Sequence, residues 1–313
     1  MKKIYGLLIL LYLAIAAVLI MIAPKSQSVV LMAVKERPYS QVITDEKERF
    51  EVLIYLSETD TFLSTKNAII DARLLGDDSE LELSVSSIDY LEMMTTFQNQ
   101  SYYVYRYAFD LSDYEFEGLP MIFDNAFLQL SYENEYVIDF EIGSVYLLWQ
   151  VIDETTDFDF FRLSGLYGNY NNQTLLQGIR IGFDRFIEGE ITIHSITCGL
   201  NDIHFNLEYT LLHDEIIEGY TLYETLGTEY DPFDTILNNV EYSFEISPSI
   251  VYAIPLNYRR QNLELTRFPL IIDYEMDQET KQLVIDDFMF KTESVQLVEE
   301  QGDVHTYEYR YRD

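Results

Sequence analysis

The chain has 313 residues, 48% hydrophobic and 15% aromatic, with 26 Tyr and 19 Phe against one Trp. That is ample material for packed cores, excludes global disorder, and favours strands, where rings lie on pleated surfaces. Twenty basic residues against 54 acidic ones give a net charge of −34, which repels phosphate backbones and argues against nucleic-acid or nucleotide partners. The only cysteine, Cys198, excludes an internal disulfide, a thiolate metal cage and a redox CxxC pair.

In chain order, residues 1–3 form a basic tip with Lys2 and Lys3. Residues 4–23 follow without a charge and are rich in Leu, Ile and Ala. A helix of that length spans roughly 30 Å, the hydrocarbon thickness of a bilayer. The positive-inside rule keeps the lysines cytoplasmic and sends the C-terminal body outward, although Lys25, Lys35 and Arg37 beyond the span weaken it. A cleavable signal peptide is the rival reading. Its apolar region is shorter, about 7–15 residues, and ends in small residues. Here the small-residue run Ala14-Ile15-Ala16-Ala17 falls inside the apolar stretch, so an uncleaved anchor is preferred. Residues 24–49 read as a juxtamembrane segment.

From residue 50 the dominant pattern is period-two alternation, the mark of half-buried strands. It runs through 50–56 and 81–85. Tyr103, Tyr105, Tyr107, Phe109 and Leu111 share a face opposite Arg106 and Asp110, and 127–132 and 137–148 continue the series. Turn signals at Gly76-Asp77 and Glu133-Asn134 separate the strands. One short helix is expected over 87–97, where Ile88, Leu91 and Met94 have helical spacing. Residues 50–150 thus form the first of two expected antiparallel β-sandwich domains.

Residues 151–178 read as a linker, because alternation lapses and Gly165, Gly168 and Gly178 enter. Its one strand-like feature is the cluster Phe158, Phe160, Phe161 and Leu163. Strand patterning resumes to give a second sandwich domain over 179–313. A hairpin is expected between 191–198 and 203–211, and Asp231, Pro232 and Asp234 resemble a helix start. The last strand, 304–311, alternates Tyr307, Tyr309 and Tyr311 against Glu308 and Arg310. The segments 107–111 and 127–133 weakly echo 252–256 and 269–275, as two copies of one domain would. Tandem sandwiches of this kind resemble immunoglobulin-like modules in architecture only, since the cysteine pair and intervening Trp of those domains are absent.

No P-loop, GxGxxG, GxSxG or HExxH spacing occurs. His194, His204 and His213 are evenly spaced, but the expected hairpin separates the first two along the ladder, and His305 is remote. Calcium needs oxygens converging on one loop, and Asp153, Asp157 and Asp159 are the weak candidates for it. No cofactor is expected. Cys198 lies in an apolar run and reads as a small core residue. The Tyr face at 103–111 reads as core, with a sugar-stacking platform as the weaker alternative. The leading expectation is a mainly β, membrane-anchored, extracytoplasmic and non-catalytic binding or accessory protein of the cell envelope, whose partner is another envelope protein or polymer. The alternatives are an envelope-polymer hydrolase using a carboxylate pair, or a carbohydrate-binding module.

Overall fold

The structure, a computed structural model of the chain, describes residues 27–43, 49–77, 79–111, 120–149, 157–170, 173–185, 189–233, 242–259, 267–289, 296–297 and 303–312. The apolar segment 4–23 lies outside the described residues. Among those described, no helix is long and apolar enough to cross a membrane. The protein is mainly β, and the one α-helix among the described residues, α1 (Leu222–Leu226), is a single turn and a half.

The first sandwich contains β1 (Gln27–Lys35), β2 (Arg37–Ile43), β3 (Arg49–Leu56), β4 (Ile69–Leu75), β5 (Glu80–Phe97), β6 (Gln100–Asp110), β7 (Met121–Tyr132), β8 (Val137–Trp149) and β18 (Val304–Arg312). Their order is β18-β1-β3-β6-β5-β4-β7-β8-β2. β5 is the corner: its first residues pair with β4, and from Ser84 onward it pairs with β6. One strand therefore serves both layers. Between them lies a core in which Phe50, Val52, Ile54 and Leu56 of β3 meet Tyr105, Tyr107 and Phe109 of β6 and Leu128, Leu130 and Tyr132 of β7. Each such fully buried side chain contributes about 1.5–3 kcal/mol. The other face of β3, Leu53 and Tyr55, is covered too, by Phe97, Tyr102 and Leu297.

The second sandwich is built from β9 (Phe158–Tyr170), β10 (Gln173–Arg185), β11 (Ile191–Thr197), β12 (Ile203–Phe205), β13 (Leu211–Leu212), β14 (Phe244–Glu245), β15 (Val251–Tyr258), β16 (Arg267–Met276) and β17 (Glu279–Met289). One sheet runs β12-β15-β10-β9 with β13 also on β15, and the other runs β14-β11-β16-β17. Ile179, Ile181 and Phe183 of β10 and Ile254 and Leu256 of β15 face Ile191 and Ile193 of β11 and Leu270, Ile272 and Tyr274 of β16. The echoed segments fall on β6 and β7 in one sandwich and on β15 and β16 in the other. In each case the second strand opens a hairpin, β7–β8 or β16–β17.

Several expectations are corrected here. Residues 24–49 are more than a juxtamembrane segment, because β1 and β2 belong to the first sandwich. β2 runs parallel to β8 from Arg37↔Gly143 to Ile43↔Trp149. Gly143 has φ +107, and a Cβ there would strike the Arg37 backbone, so only glycine lets β2 dock. The expected helix at 87–97 is part of β5. Its helical spacing comes from a bulge, where the register with β6 jumps between Tyr90 and Met94 around Glu92 at φ 56. The expected linker 151–178 holds all of β9 and the start of β10, which pair along their length. The hairpin expected between 191–198 and 203–211 does not form: β11 pairs with β16 and β12 with β15, in opposite sheets. The helix start at 231–234 lies partly outside the described residues.

The largest correction concerns the C-terminus. β18 pairs with β1 over nine residues, from Gln27↔Arg312 to Lys35↔Val304. The first sandwich is therefore built from both ends of the described chain. The second is inserted between β8 and β18 rather than following it as 179–313.

Candidate functional site

The three acids proposed for calcium do not form one site among the described residues. Asp153 lies outside them. Asp157 is buried and accepts from Tyr274 Oη at 2.7 Å and Lys281 Nζ at 2.8 Å. The Lys281 ammonium, with help from Tyr274, holds its carboxyl below the usual range. Asp159 is exposed and accepts the backbone N–H of Phe160 at 2.7 Å. Asp157 thus ties the entry to β9 onto β16 and β17.

The histidines part company. His194 approaches Glu275 at 3.6 Å on an exposed face. His305 has Nε2 at 2.6 Å from Glu36 and Nδ1 at 2.8 Å from Glu141. These three side chains are close enough to share a cation. However, the two ring nitrogens point apart, each toward its own carboxylate, and a metal would have to displace one of these contacts. The arrangement is a clasp holding β18 onto the β1–β2 corner and β8. Glu36 N–H donates to the Asp303 carbonyl at 2.8 Å beside it. Sequence reasoning missed this group because its members come from positions 36, 141 and 305, and no local spacing signals it.

The face at 103–111 is core. Tyr105, Tyr107, Phe109 and Leu111 are buried, and the Tyr107 hydroxyl donates to the Leu63 carbonyl at 2.6 Å. This removes it as a sugar-stacking platform. Cys198 is fully buried, and burial pushes its thiol up to about 12, so it is no nucleophile at neutral pH.

A recess of about 220 Å³ opens between the β11–β12 turn and the end of β15, lined by residues that include Thr197, Asn201, Asp202, His204, Asn257 and Arg259. Its floor is rigid. Asn257 donates to the Asp231 carbonyl at 2.9 Å and accepts from Asn206 at 2.9 Å and Tyr230 at 3.0 Å. The Arg259 backbone N–H donates to the Asp202 carbonyl at 2.9 Å, tying the end of β15 to the β11–β12 turn. Lost hydration, then the neighbouring Arg259, lowers the His204 pKa, which leaves a neutral imidazole able to donate and accept at pH 7. The wall thus offers a guanidinium, an imidazole, amides and a hydroxyl around the fixed Asn257 amide, groups suited to a small polar ligand.

No family model matches the chain, and no curated protein matches it. A solved structure named BspA_C_WT aligns with 81% of this chain and 99% of its own at 8% identity, with a TM-score of 0.19. A likeness that loose carries no argument about fold or function.

Proposed function

We propose that this chain is a membrane-anchored, extracytoplasmic binding or accessory protein of the cell envelope that leaves its ligand chemically unchanged. The observation that carries the binding role is the recess at Asn201, His204, Asn257 and Arg259. On its floor the Asn257 amide is already placed by three hydrogen bonds, so that group loses little freedom when a ligand enters. Anchoring rests on the uncharged stretch 4–23.

Two measurements test this reading. Protease added to intact cells should digest the body and leave a short N-terminal fragment in the membrane. A mature N-terminus near residue 25 would replace the anchor with secretion. For binding, the full chain in detergent is heated with envelope saccharides and small amino-acid derivatives. A ligand that raises the melting temperature should lose its effect in Arg259→Ala and be recovered intact. Recovery of a cleaved product would favour the hydrolase instead.

A further inference from the structure

A second cluster lies about the far side of the same sheet from the second core. Arg180 on β10 sits opposite Ser164 on β9 and Ala253 on β15, and Ala253 sits opposite Leu211 on β13. One row along, Arg162 pairs with Gly182, which pairs with Val251. His213 directly follows Leu212, the partner of Tyr252, and so reaches that second row. Strand alternation puts Ile179, Ile181 and Leu163 on the inner core. Arg162, Ser164 and Arg180 therefore share the outer face, where Leu166, Leu222 and Ala253 form a small separate cluster.

Two guanidiniums and an imidazole converge here. Lost hydration and the neighbouring Arg162 depress the pKa of Arg180. Lost hydration, then Arg180 and Arg162, depress that of His213, and Asp214 offsets this only in part. Among the described residues no carboxylate forms an ion pair with either arginine, in a chain with 54 acids to choose from. Arg180 Nε, Ser164 Oγ, Thr210 Oγ1 and His213 Nδ1 are all closed to solvent and lack a hydrogen-bond partner. Buried polar groups are normally satisfied, and like charges side by side are costly. An oxyanion would remedy both faults, since guanidinium and hydroxyl donors fit its oxygens.

We propose that Arg162, Arg180 and His213, with the hydroxyls of Ser164 and Thr210, form a binding site for one oxyanion group, a phosphate ester or a carboxylate. It lies apart from the Arg259 recess and does not depend on it. The full chain in detergent is titrated with sodium phosphate and, separately, sodium acetate, each balanced with sodium chloride to constant ionic strength. Melting temperature is the readout. At least one anion should give a saturable rise. The double variant Arg162→Gln/Arg180→Gln should weaken the apparent affinity at least about tenfold. Ser164→Ala keeps both charges and should weaken it severalfold, so the idea stays testable if the double variant misfolds. Arg259→Ala should leave the response intact. A response to phosphate alone identifies a phosphate ester as the natural group, and a response to acetate alone a carboxylate. No saturable response up to about 50 mM, far above a millimolar Kd, would overturn the site. So would a response unchanged in Ser164→Ala and the double variant.

Discussion

The Ser40 hydroxyl donates to the Cys198 carbonyl across 2.5 Å, joining β2 of the first sandwich to the turn after β11 in the second. The bond is buried, and its partners stand 158 positions apart in the chain. Tyr146 of β8 also crosses the junction and packs within the second core. Ser40→Ala removes the donor and leaves a buried carbonyl unsatisfied. We expect a loss of about 1–2 kcal/mol in denaturant unfolding, with both sandwiches still melting in one transition. A second, separate transition in the wild-type protein would show that the junction does not couple them.

Gly199 is required at this junction for two reasons. Its φ is +76, and a Cβ would overlap the Tyr146 ring. Gly199→Ala should cost at least about 2 kcal/mol. Adding Tyr146→Ala to it should recover the steric part and leave the backbone strain, so the double variant should cost less than the sum of the two single variants.

β18 should be indispensable to the first sandwich despite lying beyond the second. Tyr309 is buried in the first core, its hydroxyl accepts from the Asn134 side chain at 2.6 Å, and His305 is clasped by Glu36 and Glu141. A chain ending at 303 should lose cooperative unfolding of the first sandwich and bind a hydrophobic dye. Residues 50–150 alone, lacking β1, β2 and β18, should not fold. Native-like melting of either piece would refute the inserted arrangement.

Asp157 makes stability depend on acid. Its carboxyl is held below the ordinary value of 3.8 by Lys281 and Tyr274. The folded state therefore favours the carboxylate. That contribution is complete above pH 3.8 and is lost as pH falls through the lowered folded-state pKa. Asp157→Asn should cost about 1–3 kcal/mol at pH 7. The gap from wild type should narrow as the solution is taken below pH 3.8. A gap constant with pH would mean that packing, not charge, holds Asp157.

Cys198 should be inert to maleimide in the native protein at pH 7–8, since the thiol is fully buried and its pKa is pushed up to about 12. Labelling should proceed at the rate of global unfolding and accelerate in denaturant. Rapid native labelling would contradict the packing around the β11–β12 turn.

Much of the strand content could be read directly. The alternation at 50–56, 103–111 and 127–132 became β3, β6 and β7, with the apolar faces in the core. The misreadings have local causes. The bulge at Glu92 resets the period and mimics a helix, and the glycines of β9 and β10 mimic a linker. Two of them answer to neighbours instead: a Cβ at Gly178 would strike the Ile254 carbonyl, and one at Gly168 the Gln177 side chain.

Sequence by itself determined that the body is mainly β, that the Tyr face at 103–111 is buried, and that Cys198 is a core residue. These follow from period-two patterning and side-chain chemistry, which act between near neighbours. Tertiary structure alone decided that β18 completes the first sandwich and that β11 and β12 lie in different sheets. It alone brought His305 between Glu36 and Glu141, and Arg162 beside Arg180 and His213. Strand pairing is made by backbone hydrogen bonds that every strand offers alike. The partner is chosen by how whole layers pack, and no residue's immediate neighbours carry that information.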